Sequence, residues 1–284
     1  RPDARSKSIK GFVQLIKIVF GMIAAILTLG ALIGRSPILL LSGIGALGAV
    51  AMLVFQDTIL SIVASLQIGG DNMVKIGDWI EMPSQNADGE VIEISLHTVK
   101  VRNWDKTITA FPVRSLITGS FKNWQGMVEA GGRRINRQIL LDQRSVRFLD
   151  DDEIPKFENF IVLNDYLHQK RSEISGWNKE LEERGAKPVN LRRITNLGTF
   201  RAYVEEYLKR LPTINHEMTT MVRQMQPGPT GIPLNIYCFS NDTNWTVYEK
   251  TQSDIFDHLL AILPEFYLRV FQEGSDIVNV KIEK

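Results

Sequence analysis

The chain has 284 residues, and its 33 Lys and Arg against 32 Asp and Glu give a formal net charge of only +1. That balance argues against a protein that coats a polyanion, so we expect no nucleic-acid partner. With 44% hydrophobic residues the chain can bury a core, which excludes an intrinsically disordered protein. A single cysteine, Cys238, excludes an intramolecular disulfide and a cysteine-rich zinc site, and its apolar surroundings in the sequence predict burial in a strand.

Two long apolar stretches open the chain. Gly11 to Gly34 is 24 residues with Lys17 as the sole charge, and Ser36 to Gln56 is 21 residues with none. A bilayer core needs about 20 apolar residues in a helix. We therefore predict two membrane-spanning helices that form a hairpin around Arg35. The alternative is a signal peptide followed by a buried helix. Because the first residue is Arg1, we expect a processed chain or a piece of a longer one.

Flanking charge predicts the orientation of this hairpin. Four basic residues precede the first stretch, whereas only Arg35 lies between the two; the four are Arg1, Arg5, Lys7 and Lys10. The positive-inside rule then places the N-terminus and everything after Gln56 in the cytoplasm, in a multi-pass protein.

The second stretch is crowded with small residues. Gly43 to Gly48 matches the G-x-G-x-x-G pattern of dinucleotide sites, and Asp71 follows at a distance that suits a ribose-binding acid. No second parallel strand precedes that acid, so a cofactor site is disfavoured. Small residues also let membrane helices approach closely, which predicts an oligomeric bundle of several copies. The predicted packing positions are Gly43, Gly45, Ala46, Gly48, Ala49 and Ala51.

Asp57 ends the uncharged stretch, and Thr58 to Gly70 is amphipathic. Asp57, Ser61 and Ser65 recur at i, i+4 and i+8 between apolar residues. This pattern predicts a bent continuation that lies along the membrane surface and ends at Gly69 and Gly70. The alternative is a third short core helix of a soluble domain.

From Val74 to Trp124 the apolar period changes to two, which predicts a small antiparallel β-barrel. Asp88–Gly89 has the composition of a hairpin turn, and Asn103 to Lys106 is predicted to form another turn. The predicted strands are 75–81, 91–101 with one slip in the alternation, and 108–111, which Pro112 stops.

Beyond Gly126 the pattern is mixed α/β, with an insertion of polar helices near 150–190. The acidic run 150–153 is interpreted as a solvated helix start, because it lacks the glycine and final glutamate of a calcium loop. The predicted elements are a strand at 137–141, one or two helices in 154–184, a helix at 200–210, a hairpin of 219–225 with 234–239 around the turn 227–231, a helix at 245–263 and a terminal strand near 266–271.

No catalytic or metal-binding pattern stands out. The four histidines are scattered, and neither a nucleophile elbow nor a phosphate-binding loop occurs; the histidines are His97, His168, His216 and His258. The sequence therefore predicts no enzyme activity, no cofactor and no metal.

An ordered series of motifs resembles the small-conductance mechanosensitive channel (MscS) family, most closely its miniconductance, YbdG-like branch. The series begins with the glycine-rich span and Gln56 before an amphipathic helix. It continues with Ile76-Gly-Asp-Trp-Ile80, Gly89-Glu-Val91, Thr98-Val-Lys-Val-Arg102, Lys100-Val-Arg-Asn-Trp-Asp105, Phe111-Pro112 and Phe121-Lys-Asn-Trp124.

The resemblance implies a homoheptameric ion channel of the bacterial inner membrane, opened by membrane tension during hypoosmotic shock. Its partners would be membrane lipids and the permeating ions and small solutes. The implied fold is a membrane α-helical pore region followed by a cytoplasmic α+β part. The expected domains are 1–35, a transmembrane helix with a basic flank; 36–70, the pore-lining and surface helices; 71–127, a Sm-like β-domain; and 128–284, a mixed α/β vestibule domain.

Alignment on Gln56 carries the two gate-ring leucines of the family onto Ala49 and Leu53, with Leu53 as the predicted gate. Ala46 and Gln56 are predicted to line the same pore. A shift of one position would move the constriction toward Phe55.

Two positions depart from the family pattern. Asp57 and Thr58 stand where the family has a glycine kink, and Val113 stands where it has asparagine. Phe121 to Asn123 and Arg102 are expected to hold the barrel and subunit contacts.

Three alternatives stay open at this point. Leu53 could simply pack between subunits. The hairpin could anchor a scaffold or signalling protein that binds a partner in the cytoplasm. A carrier is the third, although Lys17 is the only ionisable residue within the spans.

Overall fold

A computed structural model describes residues 3–34 and 36–273. The predicted turn residue Arg35 and the basic Arg1 lie outside this part of the chain. The chain divides into two compact units, Arg1–Trp124 and Gln125–Lys284.

The first unit begins with two long helices, α1 (Asp3–Ile33) and α2 (Pro37–Asp71). Gly34, with a φ of +66°, ends α1, and Pro37 occupies the first position of α2, where its missing N–H costs nothing. Helix α2 includes both the predicted span and the predicted surface helix. It continues past Gly69 and Gly70 to Asp71, and the left-handed Asn72 caps it, so the predicted end was slightly early.

Both helices contain a segment long and apolar enough to cross a membrane. Almost none of these side chains is buried within the chain, unlike those of a core helix in a soluble domain. Contact between the helices is slight, with Gly30 buried and Ile26 and Leu40 half-buried. The apolar surfaces of residues 16–33 of α1 and of the first half of α2 therefore lack cover from their own chain.

A five-stranded antiparallel sheet follows, with the strand order β4-β3-β2-β1-β5. The short helix α3 (Ser115–Thr118) connects β4 to β5. Alternate strand residues, together with Ala64 and Ile68 of α2, form one hydrophobic core. The strands are β1 (Trp79–Met82), β2 (Ala87–Ile94), β3 (Thr98–Asn103), β4 (Ile108–Pro112) and β5 (Lys122–Asn123).

The predicted hairpin turn at Asp88–Gly89 is wrong. The chain reverses instead in the 3-10 turn Pro83–Gln85, followed by the left-handed Asn86 at φ 50°. Gly89 lies within β2, where a Cβ would fall 2.0 Å from the carbonyl oxygen of Arg102. The glycine is required for close approach of two backbones, not for a turn.

Three other sequence features of the sheet are explained by the structure. The slip in the alternation is a β-bulge, because the pairing of β2 with β3 shifts register between Val91 and Glu93. The predicted turn at Asn103 to Lys106 is confirmed, with Lys106 at φ 73°. The first predicted strand begins late, at Trp79, because the Asp78 N–H donates to the Lys75 carbonyl in a turn.

The second unit packs helices against a three-stranded antiparallel sheet of order β6-β8-β7. Its core joins inward residues of β6 and β8 to apolar faces of α7 and α8. The predicted hairpin and the main predicted helices are confirmed. The elements are α4 (Gln125–Glu129), β6 (Arg133–Leu141), α5 (Ile154–Glu158), α6 (Asn164–Glu183), α7 (Asn196–Arg210), β7 (Met221–Gln224), β8 (Ile232–Ser240) and α8 (Trp245–Ile262).

The predicted terminal strand near 266–271 is wrong. Leu263–Phe266 forms a 3-10 helix that the left-handed Tyr267 ends. Phe266 is fully buried, and only Val270 pairs in a β-bridge, with Leu141. A proline at the start of this segment favours the helical turn over an extended strand.

Candidate functional site

The first half of α2 carries every predicted pore residue. Ala46, Ala49, Leu53 and Gln56 are all exposed, and Leu53 is 74% exposed. Their spacing of i, i+3, i+7 and i+10 puts them on one helix face at about 100° per residue. Phe55 lies about 160° away from Leu53 by the same geometry, so the two cannot line one pore together.

The other predicted packing residues, Gly43, Gly45, Gly48 and Ala51, lie in the same half of α2. A Cβ built on Gly43, Gly45 or Gly48 meets no atom within 4 Å, and Ala51 is exposed. Their small size therefore has no use in packing within the chain itself. It leaves room for another helix to approach.

The second half of α2 packs against the β-domain along one stripe. Ser61, Ala64 and Ile68 are 7%, 3% and 2% exposed, and Ala64 and Ile68 belong to the β-domain core. Leu66, on the opposite side, is 71% exposed. Of the polar stripe predicted from the sequence, Ser61 is therefore buried on the β-domain side, Ser65 is half-buried and Asp57 is exposed. This half of the helix has one face against protein and one exposed apolar face.

An ion pair begins this stripe. The Arg114 guanidinium donates to the Asp57 carboxylate, which joins α2 to the residue before α3. The Ser61 hydroxyl donates to the Asp57 carbonyl at 2.8 Å. Such bonds to the preceding turn can bend a helix. Helix α2 continues without a break through Asp57 and Thr58. The kink at these residues stays a prediction.

Residues of the family-like motifs fasten the end of α2 to the sheet. Asp78 is 8% exposed and accepts from the Lys75 N–H at 3.0 Å and from Asn123 Nδ2 at 2.8 Å. Asn123 Nδ2 also lies 3.2 Å from the carbonyl oxygen of Met73, just past the helix. These bonds fix where the chain leaves α2 and enters β1.

A second network runs along the sheet surface. Trp79 Nε1 donates to Asp88 Oδ1 at 2.8 Å, and the Asp88 N–H donates to Asn103 Oδ1 at 2.9 Å. Lys122 pairs with Glu81 at 3.1 Å. Lys122 and Asn123 of the Phe121 to Asn123 motif thus hold β5 beside β1 in the sheet, whereas the predicted role of the motif in subunit contacts stays a prediction.

Arg102 and Val113 were also singled out by comparison with the family pattern. Arg102 approaches Glu90 at only 3.9 Å, so its part in holding the sheet is weak. Val113, which departs from the family pattern, is fully buried and its N–H donates to the His97 carbonyl at 3.0 Å. An asparagine side chain there would need a partner in an apolar core.

The cysteine and one of the histidines that were considered for catalysis or metal binding contact other side chains of the protein core. Cys238 is fully buried, as predicted, and burial raises the pKa of its thiol to about 12. His258 Nε2 lies 2.7 Å from the hydroxyl of Tyr203. Within residues 3–34 and 36–273, no three His, Cys, Asp or Glu side chains are placed to hold a metal ion.

Arg114 is the functional candidate that the sequence did not reveal. It lies 57 residues from its partner Asp57, and no periodicity relates the two positions. The one available signal was Asp57 itself, because a lone acid at the end of an apolar helix needs a polar partner.

Comparison with known proteins agrees with this architecture. The family described as mechanosensitive ion channel, beta-domain, matches residues 57–126. The low conductance mechanosensitive channel YnaI of Escherichia coli is 24% identical over 252 residues, which cover 88% of this chain and 58% of YnaI. The chain therefore spans little more than half the length of that relative.

Solved structures share the fold. The cryo-EM structure of Arabidopsis thaliana MSL1 matches with a TM-score of 0.57 at 14% identity, over 94% of this chain and 76% of the other. The closed-state crystal structure of Helicobacter pylori MscS matches with a TM-score of 0.54 at 16% identity, over 93% and 81%. These matches do not specify the YbdG-like branch, which stays a prediction. The β-domain match, the sequence similarity along most of the chain and the shared fold together make the chain similar to proteins of the MscS family.

Proposed function

We propose that the chain is a subunit of a mechanosensitive ion channel in which several copies of α2 surround a pore. The observation that carries this proposal is the uncovered apolar surface of the first half of α2. Leu47 and Val54, 73% and 68% exposed, lie on one side of the helix, and Leu53, 74% exposed, lies about 100–120° away from them. Lipid on one side and further copies of the helix on the other would cover it.

The pore in this proposal closes without a plug. A narrow ring of Leu53 side chains would expel water and so block ions, and widening the ring would restore wetting. Ala46, Ala49 and Gln56 line the same face above and below that ring. Membrane tension favours the state that occupies more membrane area, which supplies the free-energy difference that any two-state switch requires.

The wider assignment rests on the family. We propose a homoheptamer in the bacterial inner membrane that opens in hypoosmotic shock and passes ions and small solutes, with lipids around it. The cytoplasmic side would hold the β-domain (71–127) and the α/β domain (128–284), and the membrane part would be 1–35 and 36–70. A ring of copies gives the small residues Gly43, Gly45 and Gly48 the neighbouring helices that they lack in one chain.

The test is single-channel recording under graded suction from liposomes that contain the full-length protein. We expect stepwise currents, and we expect Leu53→Ser to lower the suction at which they begin. Phe55→Ser, two residues away on the other face, is the matched control and should keep the normal threshold. Silence up to membrane rupture from a protein shown to form a ring would contradict the proposal and favour a partner-binding anchor.

A further inference from the structure

We propose that the Asp57–Arg114 ion pair positions the base of the pore helix against the β-domain and thereby sets the tension at which the channel opens. This inference rests on the proposed function. Of the ion pairs between residues that the structure describes, this is the one that joins α2 to the β-domain.

Asp57 sits where the membrane helix changes surroundings. It is the first charge after the uncharged segment from Pro37 to Gln56, which is about 30 Å long as a helix and so matches the bilayer core. A carboxylate is costly within hydrocarbon. The charge therefore holds this point of α2 at the edge of the membrane, with 79% of the Asp57 side chain exposed.

Arg114 is mounted on a rigid part of the β-domain. Val113 before it is fully buried and Leu116 after it is 1% exposed. The Arg114 carbonyl accepts from the Ile117 N–H at 3.0 Å and from the Thr118 hydroxyl at 3.1 Å, which closes the turn of α3. The guanidinium thus projects from a backbone that cannot shift without unpacking the core.

The pair continues a packed contact along one helix stripe. Asp57, Ser61, Ala64 and Ile68 follow each other at i, i+4, i+7 and i+11, and the last three are buried against the β-domain. Only the Asp57 end of the stripe is held by an exposed polar contact. It is therefore the part of the contact that can separate while the buried part stays in place.

The direction of the effect follows from this placement. Pore widening needs the first half of α2 to move away from the pore axis, and the pair resists movement at its base. An exposed pair is individually weak. A ring contains one pair per subunit, so the small contributions add when the subunits open together. Loss of the pair should make the channel open at lower tension.

The experiment measures suction thresholds of the full-length protein with charge variants. We expect Asp57→Asn and Arg114→Gln to lower the threshold to a similar degree, and the double variant to lower it no further. Asp57→Glu, which keeps the carboxylate, should keep the normal threshold. The charge swap Asp57→Arg with Arg114→Asp should return the threshold to normal. Glu93→Gln removes the 2.7 Å pair with Lys100, which lies within the sheet away from α2, and serves as the matched control with an unchanged threshold.

Two failures can be told apart. If the unaltered protein gives no suction-activated current, the proposed channel function is contradicted. If it gives current but the single variants keep the normal threshold, or their effects add in the double variant, the role of the pair is overturned while the channel stands. Thermal unfolding of each purified variant checks that these exposed substitutions leave the ring folded.

Discussion

The two halves of α2 belong to one continuous helix yet have opposite surroundings. From Pro37 to Gln56 no charge occurs and no side chain is buried in the chain. From Asp57 to Asp71 a stripe of side chains packs into the β-domain core and an ion pair holds its upper end. This contrast suits the proposed function, in which the first half of α2 moves in the membrane while the buried stripe holds the second half against the β-domain.

The second half of α2 packs on the β-domain, so a substitution that disrupts the β-domain removes the difference between the two halves. We expect the largest such effect from Gly89. A Cβ there would fall 2.0 Å from the Arg102 carbonyl oxygen and 2.7 Å from the Asn103 Cα, and strands β2 and β3 would have to separate. We expect Gly89→Ala to lower the free energy of unfolding by about 3 kcal/mol or more. Denaturant unfolding of the purified protein measures this loss.

Gly126→Ala is the control for that substitution. Gly126 lies in α4, where an added Cβ meets no atom within 4 Å, so alanine should be neutral or stabilise by about 1 kcal/mol. Equal stability of the Gly89→Ala and Gly126→Ala proteins would contradict the close-approach explanation.

A smaller loss of stability is expected from substitutions on the two faces of the second half of α2. Ile68 is 2% exposed in the β-domain core, so Ile68→Ala should cost about 2–4 kcal/mol of unfolding free energy. Leu66 is 71% exposed, so Leu66→Ala should cost less than about 1 kcal/mol of unfolding free energy. Thermal unfolding in detergent distinguishes the two, and a larger loss from Leu66→Ala would reverse the assignment of the protein-facing side.

The smallest effect concerns an ion pair outside α2 altogether. Both guanidinium ends of Arg147 donate to Glu153, at 2.7 and 2.6 Å, and this bonding lowers the pKa of Glu153 to about 2 from 4.5. The pair therefore stabilises the folded protein above about pH 4.5 and loses its effect as the pH falls toward 2.

Because the arginine is partly exposed, Glu153→Gln should cost only about 1 kcal/mol at pH 7. The difference from the unaltered protein should shrink in unfolding experiments below pH 4.5. The tension threshold should stay normal, since neither residue belongs to α2 or to the β-domain. A difference that persists at pH 2 would show that the carboxylate charge is not the cause.

Local patterns predicted the elements of the β-domain better than their connections. The slip in alternation near Ile92 was a real β-bulge, because a bulge changes the period that the sequence displays. Asp88–Gly89 has the composition of a turn, but Gly89 lies in a strand, where a side chain would collide with the Arg102 backbone of the neighbouring strand. Sequence composition alone does not separate these two uses of glycine.

The candidate site shows the same limit. The uncharged span and the Asp57, Ser61, Ser65 stripe were visible as periodicity, but the sequence did not predict which side of the second half meets protein; the structure places Ser61, Ala64 and Ile68 on that side. Arg114 was not visible, because its pairing with Asp57 depends on the path of the whole β-domain. The terminal strand failed for a related reason, since the buried position of Phe266 is set by packing against distant helices.

The most direct test of a pore lined by the Leu53 face is cysteine accessibility in the conducting channel. Cys238 is buried with a pKa of about 12, so the unaltered protein gives little background reaction with water-soluble thiol reagents. With Leu53→Cys, the reagent should change the single-channel current once suction opens the pore, whereas Phe55→Cys should leave the current unchanged. Modification at Phe55→Cys with no effect at Leu53→Cys would contradict the account.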